Sequence, residues 1–177
     1  EAISRVIESK YLFRVGGPLN EVETFERELA QKVGTAHALC VNGGTSALIC
    51  GLVGLGVGPG DEVLIPGYTF MATATAVLAV GAIPVIAEVD ESLTLDPGDV
   101  EKKLGPQTRA VIPVHMVGFP SDLDRIRAAA KRRGAKVLED ACQADGGSYR
   151  GKRLGSIGDA GAFSFNFYKI ISSGEGG

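Results

Sequence analysis

Apolar positions recur along this chain in two rhythms. Val22, Phe25, Leu29 and Val33 fall at helical spacing. They follow Asn20-Glu21-Val22-Glu23, which reads as a capping box, and Gly34 gives a natural stop. A second helical stretch covers residues 45–55 and breaks up in Gly54-Leu-Gly-Val-Gly-Pro-Gly60. Glu62-Val-Leu-Ile-Pro66 then reads as a short buried strand, the Ala/Thr-rich residues 69–80 as a helix, and residues 83–89 as the next strand. Asp96-Pro97 places an N-cap before a proline and predicts a helix to residue 104. Residues 109–114 read as a strand, and residues 121–133 as a basic amphipathic helix with Leu123, Ile126 and Ala130 on one side. Strands over residues 136–140 and 161–165 complete the series. Continuous apolar strands alternating with helices predict an α/β fold, a mostly parallel sheet between helical layers. Ligands of such sheets bind at the carboxyl ends of the strands.

Composition narrows the classes. The 177 residues carry a formal charge of −3, with 45% hydrophobic and 22% charged residues, which excludes a disordered chain. An isoelectric point near 5.4 argues against a general nucleic-acid binder. No apolar run approaches the roughly 20 residues of a membrane span, and the first residues are amphipathic rather than signal-like. Cys40, Cys50 and Cys142 are odd in number and lack metal-ligand spacing, so reduced thiols in a cytoplasmic protein are expected. The 25 glycines cluster between apolar runs, as in a layered fold with many tight turns.

None of the glycine-rich stretches makes a valid nucleotide loop. Residues 54–60 do not follow a strand and lack dinucleotide spacing. Residues 146–152 match most of a Walker A loop, but Arg153 stands where a magnesium-binding hydroxyl is required. Asn42-Gly43-Gly44-Thr45-Ser46 lies directly before a helix, so it can cradle an anion or simply cap the helix. Asp140 ends an apolar strand at the sheet rim, where its carboxylate is either a functional group or a cap. Lys169 lies among apolar and aromatic residues, a setting that frees an amine as a nucleophile, although a loop lysine is commonly just exposed. Together these are the three contacts pyridoxal phosphate requires: a phosphate cradle, a carboxylate for its ring nitrogen and an amine for its aldehyde.

The ordered motifs Asn42-Gly-Gly-Thr-Ser46, Gly58-Pro-Gly-Asp-Glu62, Pro66-Gly-Tyr-Thr-Phe-Met-Ala-Thr73, Val114-His-Met-Val-Gly118, Leu138-Glu-Asp-Ala-Cys-Gln-Ala144 and Phe163-Ser-Phe165, through Lys169 to Gly174-Glu-Gly-Gly177, resemble the DegT/DnrJ/EryC1/StrS aminotransferases. The resemblance implies the type I pyridoxal-phosphate fold, with residues 1–34 as an N-terminal helical segment. Residues 35–177 would be the large, cofactor-binding domain, incomplete because the small C-terminal domain is absent. It implies Lys169 as the Schiff-base lysine and sole catalytic residue, and Asp140 as partner of the ring nitrogen. Phe70 would stack on the ring and Gln143 lie near its oxygen, while Gly44, Thr45, Ser46 and Ser164 hold the phosphate. His115 and Glu175 sit in family motifs in either a functional or a structural role. One departure is Gly43-Gly44-Thr45 where the family usually has Ser-Gly-Thr.

The implied reaction is amino transfer from glutamate or glutamine to a keto sugar, nucleotide-linked keto sugar or cyclitol, with no metal, nucleic acid or membrane involved. A homodimer with shared sites is implied too. Two rivals are a non-catalytic cofactor-binding half needing a partner chain and a pyridoxamine-dependent sugar dehydratase, whose relatives carry His in place of the lysine. A third, a nucleotide-binding α/β domain, lacks a valid phosphate loop.

Overall fold

A computed structural model describes residues 2–14 and 18–177. The chain divides into two compact units, residues 1–40 and 41–177. The first carries α1 (Ala2–Ser9) and α2 (Glu21–Val33). The capping box does not form: Asn20 precedes α2 without a side-chain cap bond. Gly34 does end the helix, in the left-handed conformation, donating its N–H to the Ala30 carbonyl. The apolar spacing also misjudges what α2 buries, since Glu26 and Ala30 are buried while Phe25 is 40% exposed. Glu26 tolerates burial because Arg14 pairs with it at 2.7 and 2.9 Å and the Cys40 N–H donates to it at 2.7 Å. Burial raises its carboxyl, but these donors outweigh that and hold it below its ordinary range.

The second unit is a parallel sheet between two helical layers. Its strands are β1 (Glu62–Pro66), β2 (Ile83–Ala87), β3 (Thr108–Val111), β4 (Lys136–Asp140) and, after a short hairpin of β5 (Ser148–Tyr149) and β6 (Lys152–Arg153), β7 (Ala160–Ala162). The order is β2-β1-β3-β4-β7 with every pair parallel. Between the strands run α3 (Gly44–Gly54), α4 (Ala72–Ala79), α5 (Pro97–Lys103) and α6 (Leu123–Arg133). Strand alternation sorts the core into two faces. Val63, Ile65, Ile112 and Leu138 pack with Leu48 and Leu52 of α3 and Ala76 and Val77 of α4. Leu64, Val111 and Val137 pack on the other side with Val100 of α5 and Ile126 and Ala129 of α6. The chain passes from β1 outward to β2 and then back across to β3, so the strand order reverses between β1 and β3. Crevices at the carboxyl ends of strands beside such a reversal are where this architecture binds ligands.

Several expected elements are shorter than their apolar patterns. The helix read over 69–80 begins only at Ala72. The strand read over 109–114 stops at Val111, with Pro113 unable to donate to a ladder, and resumes as one parallel bridge between Val114 and Asp140. Edge strand β2 leaves Ile83 and Ile86 half or more exposed, so its run of apolar residues is not covered on both faces. Residues 146–152, the rejected Walker match, make the β5–β6 hairpin; Arg150 and Gly151 both take positive φ, as the tight primed turn requires.

Glu139, in the middle of all this apolar sequence, is wholly buried. It accepts hydrogen bonds from the N–H groups of Gly155 (2.9 Å), Ile157 (2.6 Å) and Gly158 (2.6 Å). His115 supplies a fourth contact: its Nδ1 accepts from the Ser121 N–H at 3.2 Å, so the proton sits on Nε2 and is donated to Glu139 at 3.0 Å. Burial pushes the Glu139 carboxyl up, but His115 and the backbone donors pull it below its ordinary value of 4.5. A lowered folded-state value stabilises the fold above the unfolded value, and that stability disappears as pH falls through the folded one. Glu139→Gln should therefore cost about 3 kcal/mol or more at neutral pH and lose part of the wild-type acid sensitivity, both read from urea midpoints measured across pH 3–7.

Candidate functional site

Four chain segments meet above the carboxyl ends of the central strands. The first is the start of α3. Gly43 is extended and provides no side-chain cap, and the opening N–H groups of any helix lack intrahelical partners. Gly44 cannot be replaced without disturbance: a Cβ there would lie 2.8 Å from the Ser164 Cβ and 3.1 Å from the Cys142 sulfur. This close approach joins α3 to the segments following β4 and β7. Thr45 is exposed and Ser46 half-buried in the same first turn.

The second segment leaves β4. Asp140, buried, accepts from the Thr73 hydroxyl at 3.0 Å and from the Cys142 N–H at 3.2 Å. Thr73 is itself fully buried and its hydroxyl shares a 2.9 Å hydrogen bond with that of Thr69. Asp140 is thus held by hydroxyl and amide donors and does not act as a helix cap. The Cys142 thiol is pushed far up by burial and then by the Asp140 charge, which leaves it a neutral wall of the site. Gln143 turns its side-chain oxygen to the Val117 N–H at 3.2 Å, tying this segment to the turn after β3.

The third segment leaves β1 and carries Phe70, whose ring is 63% exposed. The fourth leaves β7, with Ser164 buried and Lys169 half-buried. The Lys169 Nζ lies 6.0 Å from the Phe70 ring centre. The chain beyond is tied back: Phe165 and Gly176 pair at 2.8 Å, and Gly177 exchanges hydrogen bonds with Val41 at 2.9 and 3.1 Å, directly before α3. Glu175 accepts from the Asn166 side chain at 2.7 Å, and His115 is committed to Glu139, so each has a structural partner.

Residues 1–177 match the DegT/DnrJ/EryC1/StrS aminotransferase family. The chain belongs to this family. It is 48% identical to a dTDP-3-amino-3,4,6-trideoxy-alpha-D-glucose transaminase of Streptomyces venezuelae, over 99% of this chain and 46% of that protein. It is 40% identical to an L-glutamine:2-deoxy-scyllo-inosose aminotransferase of Streptoalloteichus tenebrarius, over 100% of this chain and 43% of that one. The crystal structure of S. venezuelae DesV in complex with a ketimine intermediate superposes with a TM-score of 0.91 at 47% identity, covering 99% of this chain and 47% of DesV. The fold is therefore the family's pyridoxal-phosphate transferase fold, and the chain spans about half the length of the relatives it matches.

Thr69 and Thr73 fall inside a quoted motif without a role assigned to them, and Asp145 lies just past another. Two threonines four apart at a helix entrance are ordinary, and only the fold shows that Thr73 reaches Asp140. Thr73→Val should leave one Asp140 oxygen without its hydroxyl donor and cost about 1–3 kcal/mol in chemical denaturation, while Thr73→Ser should recover most of the loss.

Proposed function

We propose that the protein carrying this chain is a pyridoxal-phosphate-dependent aminotransferase, moving an amino group from glutamate or glutamine to the ketone of a sugar, nucleotide-linked sugar or cyclitol. The observation that carries this reading is the convergence of Lys169, buried Asp140 and the uncapped start of α3 at the carboxyl ends of the strands. The donor set fits the cofactor: an amine, a carboxylate fixed by two donors, an exposed aromatic ring, and backbone N–H groups beside the buried Ser164 hydroxyl. When bound, pyridoxal phosphate supplies an electron-withdrawing ring that stabilises negative charge beside the transferred nitrogen.

In this reading Lys169 holds the cofactor through its Nζ and afterwards moves a proton at the reacting carbon. Asp140 keeps a proton on the ring nitrogen, and Thr73 with the Cys142 N–H fixes the direction of its carboxylate. Phe70 would stack on the cofactor ring, and Gln143, whose side-chain oxygen accepts from the Val117 N–H, would lie near the ring oxygen. The α3 start, through Gly44, Thr45 and Ser46, and Ser164 bind the phosphate, where helix-terminal N–H groups favour negative charge. The names of the relatives, a transaminase of a dTDP-linked amino sugar and an L-glutamine:2-deoxy-scyllo-inosose aminotransferase, support a sugar or cyclitol acceptor and an amino-acid donor. Two copies sharing their sites would complete the enzyme.

Borohydride reduction followed by peptide mapping should place a pyridoxyl group on Lys169 of the cofactor-loaded protein. Lys169→Ala should lose the adduct while still binding inorganic phosphate, and an adduct retained in that variant would overturn the assignment. Gly44→Ala should weaken cofactor binding by about 1–3 kcal/mol by overpacking against Ser164, measured as fluorescence titration of the apo-protein with pyridoxal phosphate.

A further inference from the structure

The half-buried Thr69, one residue before Phe70, lies outside the contacts assigned to the cofactor. Its hydroxyl is 2.9 Å from that of the fully buried Thr73, which in turn stands 3.0 Å from Oδ2 of Asp140. Distance leaves the first of these bonds without a direction, because either hydroxyl can donate. Proton counting supplies one. A carboxylate only accepts, so the single hydroxyl proton of Thr73 is spent on Asp140. The Thr73 oxygen is then left with lone pairs alone, and the proton in the 2.9 Å bond belongs to Thr69. The two bonds form a one-way chain from Thr69 through Thr73 to Asp140. The other carboxylate oxygen, Oδ1, takes the Cys142 N–H at 3.2 Å from its own turn.

Such a chain does more than join two segments. A hydroxyl that accepts one hydrogen bond is polarised and becomes a better donor in the next, by about 10–30% per bond. Donation to the charged form of an acid favours that form. Burial keeps these bonds in a medium where they are stronger than in water. The same atoms also span the turn that carries Phe70, since the Thr73 N–H donates to the Phe70 carbonyl at 3.2 Å. Holding that turn is the structural role from which an electrostatic one must be told apart.

We propose that Thr69 is a positioning residue for the ring-nitrogen contact: it donates its hydroxyl proton to Thr73 and so strengthens the donor that keeps the Asp140 carboxylate ionised. The proposal rests on the aminotransferase reading, in which Asp140 stays negative while the cofactor's ring nitrogen keeps its proton. Thr69 touches neither group and acts only through Thr73. Without it the Thr73 hydroxyl is a weaker donor, the carboxylate becomes the stronger base, and the shared proton shifts from the ring nitrogen toward Asp140.

The ring nitrogen itself is the readout. The complete protein is loaded with pyridoxal phosphate carrying the NMR-active nitrogen isotope in its ring. Thr69→Val, which swaps the hydroxyl for a methyl of similar size, should move the ring resonance toward that of the unprotonated ring, and Thr69→Ser should return it. An unchanged resonance overturns the proposal. So does a move toward the protonated form, which would mean that Thr73 had been donating to Thr69. Titrating the apo-protein with pyridoxamine phosphate, which forms no bond to Lys169, gives a second reading. Thr69→Val should lower the affinity about two- to fivefold and have no further effect in the Thr73→Val background. An equal loss in that background would mean that Thr69 acts by holding the Phe70 turn, and overturns the proposal. Should Thr73→Val fail to fold, the resonance of Thr69→Val decides alone. Borohydride mapping separates this inference from the reading beneath it. A wild-type protein with no adduct on Lys169, or with an unprotonated ring, defeats both. An adduct and a protonated ring that Thr69→Val leaves unchanged defeat only the inference.

Discussion

The buried carboxylate of Glu139 constrains the rest of the structure more than any other single group. Placed inside an apolar sheet it is tolerable only if its lone pairs are met, and three consecutive-region amides plus one imidazole meet them. His115 fixes the turn after β3, and the amides of Gly155, Ile157 and Gly158 fix the approach to β7. Remove the charge, and the loops on either side of β4 lose their common anchor.

Strand geometry turns this architectural acid and the neighbouring Asp140 into a matched pair. Successive side chains of β4 point to opposite faces, so Glu139 and Asp140 cannot share partners. Glu139 faces the α5–α6 side and finds amides and His115. Asp140 faces the α3–α4 side and finds Thr73 of α4. The opposed partners explain how two adjacent carboxylates remain buried without confronting each other. Thr73 in turn draws on α4, whose small residues let it lie close to α3 and the sheet. The direction of Asp140 is therefore set by helix packing at some distance from the residue itself.

The sequence made the layers legible because parallel strands and the helices between them leave strong, short-range signals. The strands at 62–66 and 136–140 match their apolar runs residue for residue, and Asp96-Pro97 caps α5 as that dipeptide requires, with Asp96 accepting from the Gly98 N–H. What stayed hidden depends on contacts distant in the chain. Asn20 has the composition of a cap but no cap bond, since composition alone does not orient a side chain. Glu26 breaks the apolar stripe of α2 because Arg14 and Cys40 meet it in space. The β5–β6 hairpin lacks alternating hydrophobics, and its signal is only the pair Arg150-Gly151 in a glycine-rich tract. At the site, Asp140, Lys169 and the stretch before α3 were visible as residues in unusual settings. The contact of Thr73 with Asp140 was not, although Thr73 closes a quoted motif, because a helix hydroxyl is unremarkable until its burial and partner are known.

The lysine segment shows how the fold reconciles fixity with freedom. Its base is clamped: the Ser173 N–H donates to the Phe165 carbonyl and the Phe165 N–H to the Gly176 carbonyl, while Gly177 pairs with Val41 beside α3. Both ends of the loop are therefore referenced to the uncapped start of α3. Between these clamps the backbone makes only a local turn, with the Lys169 N–H on the Asn166 carbonyl at 2.9 Å, and Phe167, Tyr168, Ile170 and Ile171 are exposed. A long, flexible amine on such a loop can change partners without moving the sheet. A clamped base carrying a long side chain suits the role proposed for Lys169, which calls for a covalent bond to a cofactor, its release and a proton carried in between. Beside the loop, the turn after β4 keeps the Cys142 thiol neutral and holds the Asp140 carboxylate on two donors, so the site's fixed groups sit on the sheet and its long amine on the loop.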